Sequence, residues 1–180
     1  MNEQQLASAF GHAFLAGTVS FWPSFQKLDA RTKWLGIAFS VIPDLDVIAF
    51  RFGIPYEHVL GHRGLTHSLL FASLLAWMAD RWFWTNHQLR RWLYLFICMA
   101  SHGVLDAMTN GGRGVAFFAP VWNQRYFFPF RPVQVSPIHA GAFFSQRGLQ
   151  ILVSEWWWIG VPSLLLLFIL WAIQAINSRS

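Results

Sequence analysis

The sequence predicts an all-α, polytopic membrane bundle of about five transmembrane helices, with a long aromatic and basic loop covering a polar site. Three observations carry this expectation. Of the 180 residues, 55% are hydrophobic and only 12% charged, whereas a soluble domain carries about 25% charge. The apolar residues gather into five runs, at 6–22, 34–50, 66–84, 92–109 and 156–176, and a spanning helix needs roughly 17–25 residues. Acids and histidines are few, yet several lie inside those runs, where ionisable groups are costly and mark function by default.

The fifth run is the clearest span, with Leu164-Leu165-Leu166-Leu167-Phe168-Ile169-Leu170 at its heart and Trp156-Trp157-Trp158 as an interfacial belt. The first two are short and interrupted, the second by Pro43. Lys27, Arg31 and Lys33 link the first two runs, Arg81, Arg90 and Arg91 link the third and fourth, and Arg179 follows the fifth. Basic links face the cytoplasm, which puts the N-terminus outside. The length predicts a single domain over 1–180. The net charge of +5 is spread over run ends rather than gathered in a patch, so nucleic acid is not an expected partner. Cys98 is the single cysteine, which excludes an intramolecular disulfide. No cleavable signal peptide is expected, because Glu3 is the only charge before the first run.

Counting from the basic ends at about 1.5 Å per residue puts His12, Asp46, His67, His102 and Asp106 at roughly 16–22 Å depth. Four runs of alternating direction thus deliver polar residues to one level, toward the periplasmic side. His102 and Asp106, four apart, share a helix face. His62 and His67 lie in His62-Arg63-Gly64-Leu65-Thr66-His67-Ser68, where glycines allow a bend and Thr66 can cap the next helix. Asp44 and Asp46 lie in Pro43-Asp44-Leu45-Asp46, with irregular backbone that membrane depth tolerates only inside protein or beside a cavity. Each pair has a plainer reading: a buried His–Asp hydrogen bond, interfacial histidines, or Asp44 as a helix N-cap. Together, His12, Asp44, Asp46, His62, His67, His102 and Asp106 make an imidazole and carboxylate set that suits Zn, Mn or Fe. Seven ligands exceed one tetrahedral ion, so two metals, zinc foremost, are expected.

Residues 110–154 form the expected lid. They hold Arg113, Arg125, Arg131, Arg147, His139 and many aromatic residues, with no acid. Pro120, Pro129, Pro132 and Pro137 break any long helix there.

With these motifs, and with His102-Gly103-Val104-Leu105-Asp106-Ala107-Met108-Thr109 followed by Gly111-Gly112, the chain resembles a bacterial family. This is the family of LexA-regulated, inner-membrane metal-dependent hydrolases. Arg125-Tyr126-Phe127-Phe128-Pro129 and Val135-Ser136-Pro137-Ile138 extend the resemblance over most of the chain. It implies the same seven residues as metal ligands and a multi-pass place in the inner membrane.

The function expected is hydrolysis of a phosphoester or other ester in a membrane lipid or a lipid-linked anionic substrate. Arg63, Asp46 and His67 are the expected catalytic residues, and Arg63, Arg125 and Arg131 the expected anion binders. The alternatives are a metal or proton transporter using the same cluster, and a non-catalytic, metal-stabilised membrane module of a stress response.

Overall fold

The structure is a computed structural model that describes residues 5–6, 8–137 and 145–177. Helices α1 (Ala9–Val19), α2 (Ala30–Phe39), α3 (Leu69–Phe83) and α4 (Leu89–Ala107) form a bundle. A terminal helical rod follows, made of α5 (Gln146–Glu155), a π turn (Trp156–Gly160) and α6 (Val161–Asn177). Among the described residues, extended pairing is limited to short stretches, such as the two-residue antiparallel pair of β1 (Gln5–Leu6) with β2 (Ser136–Pro137).

Three of the four bundle helices start where a side chain takes a free N–H group. Ser8 caps α1 and accepts from Gly11 N–H, Asp29 caps α2 and accepts from Thr32 N–H at 2.8 Å, and Ser68 caps α3 and accepts from Phe71 N–H at 3.1 Å. The expected cap of the third run, Thr66, has another task described below.

The core is built for close approach. Ala72, Ala76 and Ala79 lie on one face of α3 and are buried with Tyr94, Leu95, Cys98 and Met99 of α4, the small-residue packing typical of membrane helices. Gly36 of α2 leaves room for the Tyr94 ring, which a Cβ at that position would overlap. At the basic end, buried Asp80 accepts from Arg91 Nη1 at 2.8 Å, and the Arg91 guanidinium lies 4.3 Å from the centroid of the Trp84 ring. Arg91 is therefore an internal ion-pair partner, not the free flanking charge expected of it.

The five apolar runs map unevenly onto these helices. Gln146–Ile176, 31 residues long, is the one described helix long and apolar enough by itself to cross a membrane. It is only 17% buried over its most apolar window and turns Leu164, Leu165, Phe168, Ile169 and Trp171 outward. The first run gives 11 helical residues and the second 10, or about 15–17 Å against a core of about 30 Å. The second run breaks because proline cannot continue the helix. After Ser40 the chain re-forms as a 3-10 segment, Ile42–Phe52, with Pro43 in its first turn, and ends at left-handed Gly53. Asp44 lies in the first turn of that segment and is not its N-cap.

The lid corrects the sequence reading at its C-terminal end. From Gln146 onward it is helix, contiguous with the terminal rod. Its earlier half is no loose layer: Val115, Ala116, Ala119 and Val133 are fully buried. Backbone bonds stitch it down, with Leu69 N–H donating to Phe117 O, Ala116 N–H to Arg63 O, and Phe128 N–H to Ala107 O. His139, Phe143 and Phe144 lie outside the described residues.

Candidate metal centre

Three elements bring four polar residues to one buried point. Asp44 comes from the 3-10 segment, His67 from the short 3-10 turn Leu65–His67, and His102 and Asp106 from adjacent turns of α4. One ligand-capable atom from each lies within 4.8 Å of all the others. His102 Nε2 is 3.1 Å from His67 Nε2, 3.2 Å from Asp44 Oδ1 and 3.6 Å from Asp106 Oδ2. His67 Nε2 is 3.2 Å from Asp106 Oδ2 and 3.8 Å from Asp44 Oδ1. Ligands at about 2.0–2.1 Å around a tetrahedral zinc ion stand about 3.3 Å apart, so this donor set already has the right spacing.

The neighbours orient both imidazoles. His102 Nδ1 is 2.7 Å from Ser40 O, a pure acceptor, so Nδ1 carries the proton and the Nε2 lone pair faces the donor set. His67 Nδ1 is 3.2 Å from Asp46 Oδ2, which turns its Nε2 the same way. Asp46 also accepts from Thr66 Oγ1 at 2.6 Å, from Arg63 N–H at 3.1 Å and from His62 Nδ1 at 2.6 Å. The two oxygens of Asp46 thus serve four donors. This is the arrangement of a carboxylate that steers histidines, with its oxygens already engaged by protein.

A second group, Asp46, His62 and His67, also brings ligand-capable atoms within 4.8 Å of one another. Its contacts are largely internal hydrogen bonds, and it shares His67 with the first group. His62 Nε2 is buried and has no hydrogen-bond partner among the described residues. His12 stacks on His102 with centroids 3.8 Å apart, and its Nε2 is 3.8 Å from Asp106 Oδ1. The structure therefore gathers all seven sequence-predicted ligands, with four as a tight donor set and Asp46, His62 and His12 around it.

The donor set fits a divalent metal on two grounds. Both His12 nitrogens are buried without a hydrogen-bond partner among the described residues, beside two carboxylates of which the Arg63 guanidinium balances only one, a costly state unless something compensates it. The set also holds only imidazole nitrogen and carboxylate oxygen donors, a mixture that suits Zn, Mn or Fe and disfavours Cu(I) and iron–sulfur clusters.

The arginines lie elsewhere than their expected anion-facing places. Arg63 is fully buried at a left-handed φ of 58°. Its Nε is 3.0 Å from Asp106 Oδ2 and its Nη2 donates to Asp106 Oδ1 at 3.2 Å, a two-point grip. Its Nη1 donates to Asp106 O, Thr109 Oγ1 and Gly111 O. Gly112, at φ 78°, leaves the space, since a Cβ there would stand 2.7 Å from Arg63 Nη1. Arg125 donates to His62 O at 2.8 Å and to Tyr56 O at 2.7 Å, and so clasps the lid to the 56–62 loop. Burial lowers the Arg125 pKa and raises that of the Tyr56 phenol beneath it. Arg113 pairs with Glu57. Arg131 is exposed and lies over the Phe127 ring at 4.6 Å.

The sequence reading passed over Glu155. This buried acid accepts from Ser8 N–H at 2.8 Å and from the Ser8 hydroxyl, and so ties the terminal rod to the start of α1. Its signal was available, since it is the one acid beside the last apolar run.

The Arg63–Asp106 grip makes a testable statement. Arg63→Gln should lower the stability of detergent-solubilised protein by about 3–5 kcal/mol, because it strands a buried carboxylate. Asp106→Asn in the same chain should recover part of that loss, with a coupling of about 1 kcal/mol or more. Thermal unfolding of both single variants and the double variant measures it, and strictly additive losses would contradict the pairing.

Comparison with known proteins agrees with an inner-membrane setting. A family model described as YdjM inner membrane protein matches residues 4–179. A curated relative, Inner membrane protein YbcI of Escherichia coli (strain K12), is 38% identical over 164 residues, covering 89% of this chain and 94% of the relative. No solved structure matches the chain significantly. The chain belongs to the YdjM inner membrane protein family.

Proposed function

We propose that the protein is a membrane-embedded, metal-dependent hydrolase acting on a phosphoester or other ester of a lipid or lipid-linked anionic substrate. The observation that carries this reading is the Asp44, His67, His102 and Asp106 donor set, buried and already at metal-ligand spacing. Those four residues would hold the ion, with His12 beside them. A bound divalent ion would supply Lewis acidity and a water of lowered pKa. The chain supplies the rest. Ser40 and Asp46 keep the two imidazoles in the ligating tautomer, and His62, braced by Asp46 at Nδ1, can take a proton at its unpartnered Nε2. One tight donor set favours a first ion here, and a second would have to recruit His12 or His62.

The way in favours a lipid. Among the four donors Asp44 has the most exposed side chain, at 12%, against 0% for each of His67, His102 and Asp106. Its neighbours Leu45 and Ile48 are exposed apolar residues, so the mouth opens on a greasy surface. Of the three expected anion binders, Arg131 is the one left to meet an anionic headgroup, since Arg63 and Arg125 are committed to protein acceptors. The transport reading finds little support toward the basic end, where Asp80 is locked to Arg91 and the Ala72, Ala76 and Tyr94 core is closed.

Purified protein in mixed micelles should release product from an anionic phospholipid, stop with a chelator and resume with Zn²⁺. His102→Ala should lose at least about 100-fold, and Asp46→Asn should weaken metal affinity by about 10–100-fold. Metal uptake into vesicles without lipid turnover would overturn the hydrolase reading in favour of transport.

We also propose a multi-pass topology of five crossings, with the N-terminus and the site toward the periplasm. The shorter bundle helices would complete their crossings with the turns that flank them. In a Cys98→Ser background, Gln88→Cys should react with a membrane-impermeant thiol reagent from the cytoplasmic face alone. Reaction from the periplasmic face alone would reverse the orientation.

A further inference from the structure

We propose that the basic end of the bundle carries a binding site for an anionic glycerophospholipid, separate from the metal centre. A cleft of about 690 Å³ opens there between α1, α4 and α6. Val19, Leu93, Ile97 and Leu166 contribute apolar walls, while Arg90 and Ser24 bring polar groups to it. Arg90 lies sixteen positions before Asp106 on α4, or about 24 Å along the helix. The cleft is therefore at the opposite end of the bundle from the donor set.

Two features select the occupant. Arg90 is exposed and has no ion pair or hydrogen bond among the described residues, while Arg91 beside it is buried against Asp80. The Ser24 hydroxyl is likewise free of any described partner, so a guanidinium fork and a hydroxyl donor sit together at an apolar slot. A phosphodiester matches that pair of donors, since arginine grips phosphate at two points. An acyl chain matches the walls. No carboxylate lines the cleft, so nothing there would pair with the ammonium of a zwitterionic headgroup. The surroundings are basic as well, with Lys27, Arg31, Lys33 and Arg81 at the same end, and such clusters attract anionic lipid.

Native mass spectrometry of the full-length protein with equimolar dioleoyl-phosphatidylglycerol and dioleoyl-phosphatidylcholine tests this. One lipid should stay bound per chain, with phosphatidylglycerol favoured about fivefold, the contribution of one basic residue near anionic lipid. Arg90→Gln should bring that preference to about one. Leu93→Trp, which fills the wall, should reduce retention of both lipids. Equal preference in the wild-type protein and Arg90→Gln, undiminished retention in Leu93→Trp, or paired chains in place of a lipid-bearing chain would each overturn the site.

Discussion

The two-point grip of Arg63 on Asp106 is the interaction around which the rest of the site is arranged. It fixes a carboxylate at the end of α4 in a place sealed from water, and it balances half of the charge that Asp44 and Asp106 bring there. The same guanidinium reaches Thr109 and Gly111, so it also sets where the lid leaves α4. Gly112 gives it space, and the backbone at Arg63 accepts a left-handed conformation to deliver it. A non-glycine residue holds such a φ only where its surroundings over-determine it, and here five donor contacts do so.

Much of the site was legible in the sequence because ionisable residues inside apolar runs are rare and costly. His12, Asp44, Asp46, His62, His67, His102 and Asp106 stood out as costly residues, and helical rise alone put most of them at one level. Their division of labour was not legible. Asp46 and Asp44 are two apart in a motif that treats them alike, yet one steers His62 and His67 while the other faces the donor set. Local backbone made that difference: the 3-10 geometry after Pro43 turns the two side chains to different tasks. Arg63 and Arg125 were read as free because sequence shows charge and not partners, and their partners are mostly backbone carbonyls far away in the chain. Of the fold, helix positions were readable from apolar runs, but helix lengths were not. Proline and serine shortened the second run, and α5 extended the last one backward into the lid.

The outer surface fits the inner membrane to which the family belongs. α6 turns Leu165, Phe168 and Trp171 outward, and α3 exposes Leu74, Trp77 and Trp82. An exposed apolar surface of that extent is at home in lipid. Inside it, polar groups occur in paired sets: Asp80 with Arg91, Glu155 with Ser8, Asp46 with two histidines. The donor set differs: it crowds two carboxylates and two imidazoles within 4.8 Å of one another against a single guanidinium, and the buried His12 nitrogens beside it have no hydrogen-bond partner among the described residues. That imbalance is the physical reason to read it as a metal centre.

X-ray absorption at the zinc edge of protein purified with Zn²⁺ tests that centre most directly. The account predicts stoichiometric metal with nitrogen and oxygen neighbours at about 2.0–2.1 Å, imidazole scattering that falls in His102→Ala, and no sulfur shell. Protein without bound metal, or sulfur scattering at about 2.3 Å, would contradict it.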